Sequence, residues 1–179
     1  MGLKPTSLHD SRGGSYMRRR LTLSLIVALA APHAAEAADP AFAPLPQTTQ
    51  RQLANQRLFV SSLVANNFPG EKLSGSKSDF QLLQRILDAK LIPKTRTWEL
   101  QALGVAFGDS LVATVPGLAW WQVTDEYGTD PTVRYRETTV QINALTALSK
   151  RVERSEGIEV EKLAEHFSKF IETEAKKFK

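Results

Sequence analysis

The chain has 179 residues, with 23 Lys and Arg against 19 Asp and Glu (formal charge +4), three His and no Cys. A cysteine-free chain excludes disulfides, thiolate nucleophiles, Cys-held zinc and iron–sulfur clusters. Of the histidines only His166 lies beyond residue 37, so one chain without its leader cannot assemble a two-His metal site.

Residues 17–37 read as a signal peptide. Arg18, Arg19 and Arg20 form a positive start, and residues 21–31 are an apolar run of eleven, too short for the roughly 20 residues that span a bilayer. Pro32 breaks the run, and Ala35-Glu36-Ala37 supplies a small–x–small site with expected cleavage between Ala37 and Ala38. Residues 1–16 are polar and patternless and read as a non-native extension upstream of Met17. Removing residues 1–37 takes away five cations and two acids, which leaves 18 against 17, or +1. The basic balance therefore belongs mainly to the leader and argues for no nucleic-acid partner. No later segment is apolar enough to span a membrane, and the expectation is a periplasmic or secreted protein.

Residues 38–46, rich in Pro and Ala, read as an extended linker, followed by a single α+β domain over residues 47–179. A first helix is predicted over residues 47–67, with Leu53, Val60 and Val64 at helical spacing and Phe59 and Leu63 widening the stripe. Residues 70–77 read as a flexible loop. Ser78 and Gln81 match a capping box, opening a second helix that buries Phe80, Leu83, Ile86, Leu87 and Leu91 and stops at Pro93.

A third helix is predicted from Thr97 to Val115, before Pro116-Gly117, with Leu100, Leu103, Phe107 and Leu111 as its apolar positions. Gly104 and Gly108 lie one turn apart within it. Each costs about 1 kcal/mol against Ala, which close approach by another backbone would offset, so this helix is expected at the centre of the fold. Trp98 near its start reads as core.

The apolar period then changes to two. Ala119, Trp121 and Val123, then Val133 and Tyr135, then Val140 and Ile142 read as the buried face of a three-stranded antiparallel meander, with N-terminal and C-terminal helices packed on that one face. A short stripe of Leu145, Leu148 and Val152 follows. A last helix is expected to bury Val160, Leu163, Phe167, Phe170 and Ile171.

This alternation places Trp120, Gln122, Thr124, Arg134, Arg136, Thr139, Gln141 and Asn143 on the solvent face. Trp and Arg are enriched at binding hot spots, so Trp120, Gln122, Arg134, Arg136 and Gln141 are the candidate binding residues. The acidic turn with Asp125, Glu126 and Asp130 departs from the spacing of a calcium loop and carries the residue types that turns favour, so no metal ligands are assigned. Together with Asp109, these three acids are the alternative catalytic set, since paired carboxylates hydrolyse glycosidic bonds without a cofactor when held about 5–9.5 Å apart. Ser74-Gly75-Ser76-Lys77 matches a serine–lysine pattern but lacks its partner motifs. His166 has no nucleophile or orienting group near it in sequence.

Three blocks stand together: residues 103–109 (LGVAFGD), the run from Trp120 through the acidic turn to Tyr135, and residues 145–153 (LTALSKRVE). Their order and spacing resemble the bacterial family known as domain of unknown function 3806 over about residues 80–160. The resemblance implies one folded unit there that groups Gly104, Gly108, Asp109, Trp120 and the acidic turn; it implies no activity, cofactor or catalytic residue.

The expected function is an exported, non-enzymatic binding protein with a protein partner in the cell envelope and no cofactor. An immunity-type inhibitor of a secreted toxin or cell-wall enzyme is one concrete version. The alternative is a carboxylate-dependent hydrolase of the envelope. A third reading, in which Lys169, Lys176, Lys177 and Lys179 touch an anionic surface, is diluted by Glu165, Glu172 and Glu174.

Overall fold

The computed structural model describes residues 39–178. The N-terminal extension, the leader and its cleavage site lie outside the described residues. In chain order the elements are β1 (Ala41–Ala43), α1 (Gln47–Asn67), α2 (Asp79–Asp88), α3 (Thr97–Thr114), β2 (Leu118–Asp125), β3 (Gly128–Tyr135), β4 (Gln141–Ile142), α4 (Ala144–Ala147), α5 (Ser149–Glu153) and α6 (Val160–Ala175), with a closing 3-10 turn Lys176–Phe178. The class is α+β. The sheet has four strands in the order β1-β2-β3-β4, all antiparallel.

The extra strand corrects the linker expectation. Ala41, Phe42 and Ala43 pair with Thr124, Val123 and Gln122 of β2. Pro40 and Pro44 bracket the three residues; proline lacks the N–H a central strand needs and is confined to edges, so they keep β1 short and at the margin of the sheet.

α1 has the predicted bounds and buries Leu53, Val60 and Val64, with Gln56 fully buried among them. α2 buries Phe80, Leu82, Leu83 and Ile86, while Leu87 and Leu91 are half-buried. The capping box does not form. Ser78 is already helical (φ −62°, ψ −24°), whereas a capping residue is extended, and Gln81 instead reaches Glu161 of α6 at 3.5 Å. Asp79, 3% exposed, does the local work: its carboxylate accepts from the backbone N–H groups of Ser74 (3.0 Å) and Gly75 (2.7 Å) and from the Ser74 hydroxyl (2.8 Å). The loop before α2 is thus pinned at its centre. α2 ends at Asp88, before Pro93, and just beyond it Lys90, with φ of 49°, turns the chain while Leu91 N–H closes back on the Ile86 carbonyl at 3.3 Å.

α3 packs against α1, α2, α4, α5 and β2, and Leu100, Leu103, Phe107 and Leu111 are buried as the spacing requires. Its two glycines admit different neighbours. A Cβ at Gly104 would stand 2.3 Å from the Leu145 carbonyl oxygen and 2.6 Å from that of Ala144, so the close backbone is that of α4. A Cβ at Gly108 would stand 2.4 Å from the Trp120 ring.

That contact decides which face of β2 is inside. The register pairs Leu118 with Tyr135 and Trp120 with Val133, and Val133 with Ile142 of β4, so these five share the face that meets the helices. Ala119 pairs with Arg134 and Trp121 with Thr132, on the opposite face. The expected phase of β2 is therefore inverted: Trp120 points inward, into the notch at Gly108, and Trp121 points outward. The phases of Val133, Tyr135 and Ile142 are as expected. Beyond the sheet, α4 buries Leu145, the junction between α4 and α5 buries Leu148, and α6 buries Val160, Ala164 and Ile171. Phe170, expected inside, is 41% exposed. It lies at the margin of a narrow stripe, because α6 meets the body chiefly through α2.

Candidate functional site

Asp109 is held by three donors from two other elements. Arg57 of α1 binds it in a fork, Nε to Oδ2 at 2.7 Å and Nη2 to Oδ1 at 2.8 Å, and Trp120 Nε1 donates to Oδ1 at 2.9 Å. The side chains are 41% and 25% exposed for Arg57 and Asp109, so the pair is partly screened. The Arg57 pKa is raised, first by its hydrogen bond to Asp109, against the lowering effect of burial, with the Asp109 charge adding to the rise. A raised folded-state value means that Arg57's own contribution is complete below its unfolded-state pKa and is lost as pH climbs through the folded one, on the strongly alkaline side. With both oxygens occupied, Asp109 is a brace that ties α1, α3 and β2 together.

The other acids of the hydrolase reading sit elsewhere. Asp125 is five residues beyond Trp120 along β2, about 17 Å at the usual rise per residue. Its Oδ1 accepts the Tyr127 N–H at 2.9 Å, a turn contact. The fully exposed Tyr127 has its phenol pKa raised, first by a hydrogen bond with Glu126 and then by the charges nearby. Asp125, Glu126 and Asp130 therefore form the tip of the β2–β3 hairpin, away from Asp109, and line neither of two clefts elsewhere on the surface. Among the described residues no group of three His, Asp or Glu is placed to hold a metal ion. His166 is exposed beside Phe167, and Ser74 and Ser76 of the serine–lysine pattern belong to the hydroxyl network around Asp79.

The outer sheet face has a different organisation. Arg134 lays its guanidinium over the Phe42 ring, 4.1 Å from the centroid, and 4.8 Å from the Trp121 ring. Its Nε donates to the Thr138 carbonyl at 2.6 Å, and it makes no ion pair with a described residue. Two aromatic faces and one backbone anchor hold the cation in a fixed attitude. Gln141 stands opposite Arg134 in the ladder, its Oε1 buried without a partner. Arg136 follows β3 with φ of 50°, exposed, its guanidinium 5.1 Å from the Tyr135 ring.

Of the five predicted binding residues, the structure brings Arg134 and Gln141 together on the outer face. Trp120 and Gln122 have the opposite phase, and Trp120 is a core residue in contact with Asp109; Arg136 lies past the end of its strand. Phe42 and Trp121 were missed. The signal for Phe42 was a lone aromatic inside a proline-bracketed extended segment; for Trp121 it was its neighbour's better fit to the glycine notch.

The protein is thus an α+β domain built around a central helix, with a four-stranded sheet whose outer face carries Arg134 between Phe42 and Trp121. Residues 79–163 match the family model described as Domain of unknown function (DUF3806). No curated protein matches the chain. A crystal structure from Bacteroides thetaiotaomicron VPI-5482 is similar in fold, with TM-score 0.65 at 18% identity over 73% of this chain. The match covers 47% of that chain, so this protein spans about half its length.

Proposed function

We propose that this is an exported, non-enzymatic binding protein that engages an acidic partner protein of the cell envelope through the outer face of its sheet. The observation that carries the reading is Arg134, fixed between Phe42 and Trp121 and free of any ion pair with a described residue. An arginine held this way has less side-chain entropy to lose on docking, and its terminal nitrogens suit a carboxylate fork. Inhibition of a secreted toxin or cell-wall enzyme is one form such binding would take. Export rests on the leader pattern of residues 17–37. The hydrolase reading has less support, since Asp109 has its oxygens filled and the hairpin acids stand on an open turn.

The test is recovery of the full chain, carrying a C-terminal tag, from the envelope of its own host, beside an Arg134→Glu/Trp121→Ala variant. The expected result is a protein that begins at Ala38 and brings down a partner that the variant loses. A partner retained by the folded variant, or no partner with either, overturns the assignment.

A further inference from the structure

A second surface, independent of the sheet, has the form of a small-molecule site. The connection after α2 and the connection between α5 and α6 face each other across a cleft of about 590 Å³, within the range of ligand pockets, roughly 300–1,000 Å³. Leu87, Val152 and Ile158, half-buried, give its accessible apolar lining, backed by the core residues Ile86, Leu100 and Leu103. Gln84 keeps the walls apart at a fixed spacing: its Nε2 donates to the Ile158 carbonyl at 3.1 Å and its Oε1 accepts the Val160 N–H at 2.8 Å.

The charges at the mouth are unequal in availability. Asp88 accepts from Gln84 Nε2 at 2.8 Å, and Glu156 has Arg154 at 3.7 Å. Lys90 and Lys94 line the same mouth and make no ion pair with a described residue. The carbonyls at the end of α2 offer little to a cation either, because those of Arg85, Ile86 and Leu87 already accept from Ala89, Leu91 and Lys90. A hydrogen bond from a neutral amide cancels no charge, so with Glu156 beside Arg154 the mouth sets Lys90 and Lys94 against Asp88, a balance of one positive charge.

We propose that this cleft binds a small anionic amphiphile, a carboxylate with an apolar body such as a medium-chain fatty acid. The chain lies against Leu87, Val152 and Ile158, and the head group meets Lys90 and Lys94. Lysine suits this position, since its stem covers apolar surface while the ammonium stays at the water boundary.

Titration calorimetry of the processed protein with dodecanoate below its micelle concentration tests the proposal, with dodecyl trimethylammonium as the cationic control. Two variants accompany it. Lys90→Glu/Lys94→Glu reverses the exposed charges. Gly157→Trp fills the cleft from a position where an added Cβ meets nothing within 4 Å. The expected result is saturable binding of dodecanoate, weakened about tenfold or more by the lysine reversal and lost in Gly157→Trp. Absence of saturable binding overturns the proposal, as does unchanged affinity in the lysine variant, retained binding in a folded Gly157→Trp protein, or equal binding of the cationic control.

Discussion

Replacing Gly104 by Ala tests the central packing of the fold, because two effects of opposite sign act on one methyl group. In an isolated helix the change stabilises by about 1 kcal/mol, the propensity difference between the two residues. Here the new Cβ would stand 2.3 Å from the Leu145 carbonyl oxygen and 2.6 Å from that of Ala144. Both obstacles are backbone, so α4 itself must move away from α3, and the buried Leu145 and Leu148 move with it. Overpacking a tight core costs about 1–3 kcal/mol, and a displaced backbone belongs at the upper end. The net expectation is a loss of about 2 kcal/mol, or a fall in Tm of roughly 6 °C for a domain of this size. Urea unfolding followed by tryptophan fluorescence measures it, with Gly157→Ala, which meets open space, expected within about 0.5 kcal/mol of the parent. A Gly104→Ala protein more stable than the parent would refute the close approach of α4.

Asp109→Asn leaves the Arg57 guanidinium without its counter-charge and is expected to cost about 1–2 kcal/mol, less than a fully buried pair because both side chains are partly exposed; denaturant unfolding measures it. Gln56 is fully buried with both amide atoms unpartnered, so Gln56→Met, close in volume, is expected to stabilise by about 1–2 kcal/mol; a clear loss in thermal unfolding would mean the amide finds a partner in solution. Asp79→Ala removes the acceptor for Ser74 and Gly75 and is expected to open residues 70–77 to limited proteolysis well before the rest of the chain, with cleavage sites read by mass spectrometry.

Helices with a strong stripe were legible because periodicity needs no partner. The run from Gln47 to Asn67 is bounded by proline on both sides and has one clear apolar line, so its ends follow from local rules. The identity of the central helix was also readable, since a glycine pair among large apolar residues has a cost that only close packing offsets. The sheet was harder. β1 is three residues of alanine and phenylalanine between prolines, below the length at which alternation carries a signal. In β2, Leu118 and Trp120 on one phase compete with Trp121 and Val123 on the other; a strand apolar on both faces has no phase of its own, and the choice fell to a glycine notch in another element. Val123 is buried on the outer face, in the register row of Phe42. The brace on Asp109 joins residues 52 positions apart in sequence, a pairing that no local pattern encodes. For the site itself the residue types were right in part: Arg134 and Gln141 follow from the alternation of β3 and β4, while the aromatic walls around Arg134 depend on the register of β1 and β2.

Site-specific photocrosslinking in the native host tests the central claim most directly. A photoreactive residue at Ala119, exposed and opposite Arg134 on the outer face, is compared with one at the exposed Ser62 of α1. The account predicts a discrete adduct from position 119 that disappears in the Arg134→Glu background, and none from position 62. An adduct from position 62 alone, or one at 119 unchanged by Arg134→Glu, would contradict it.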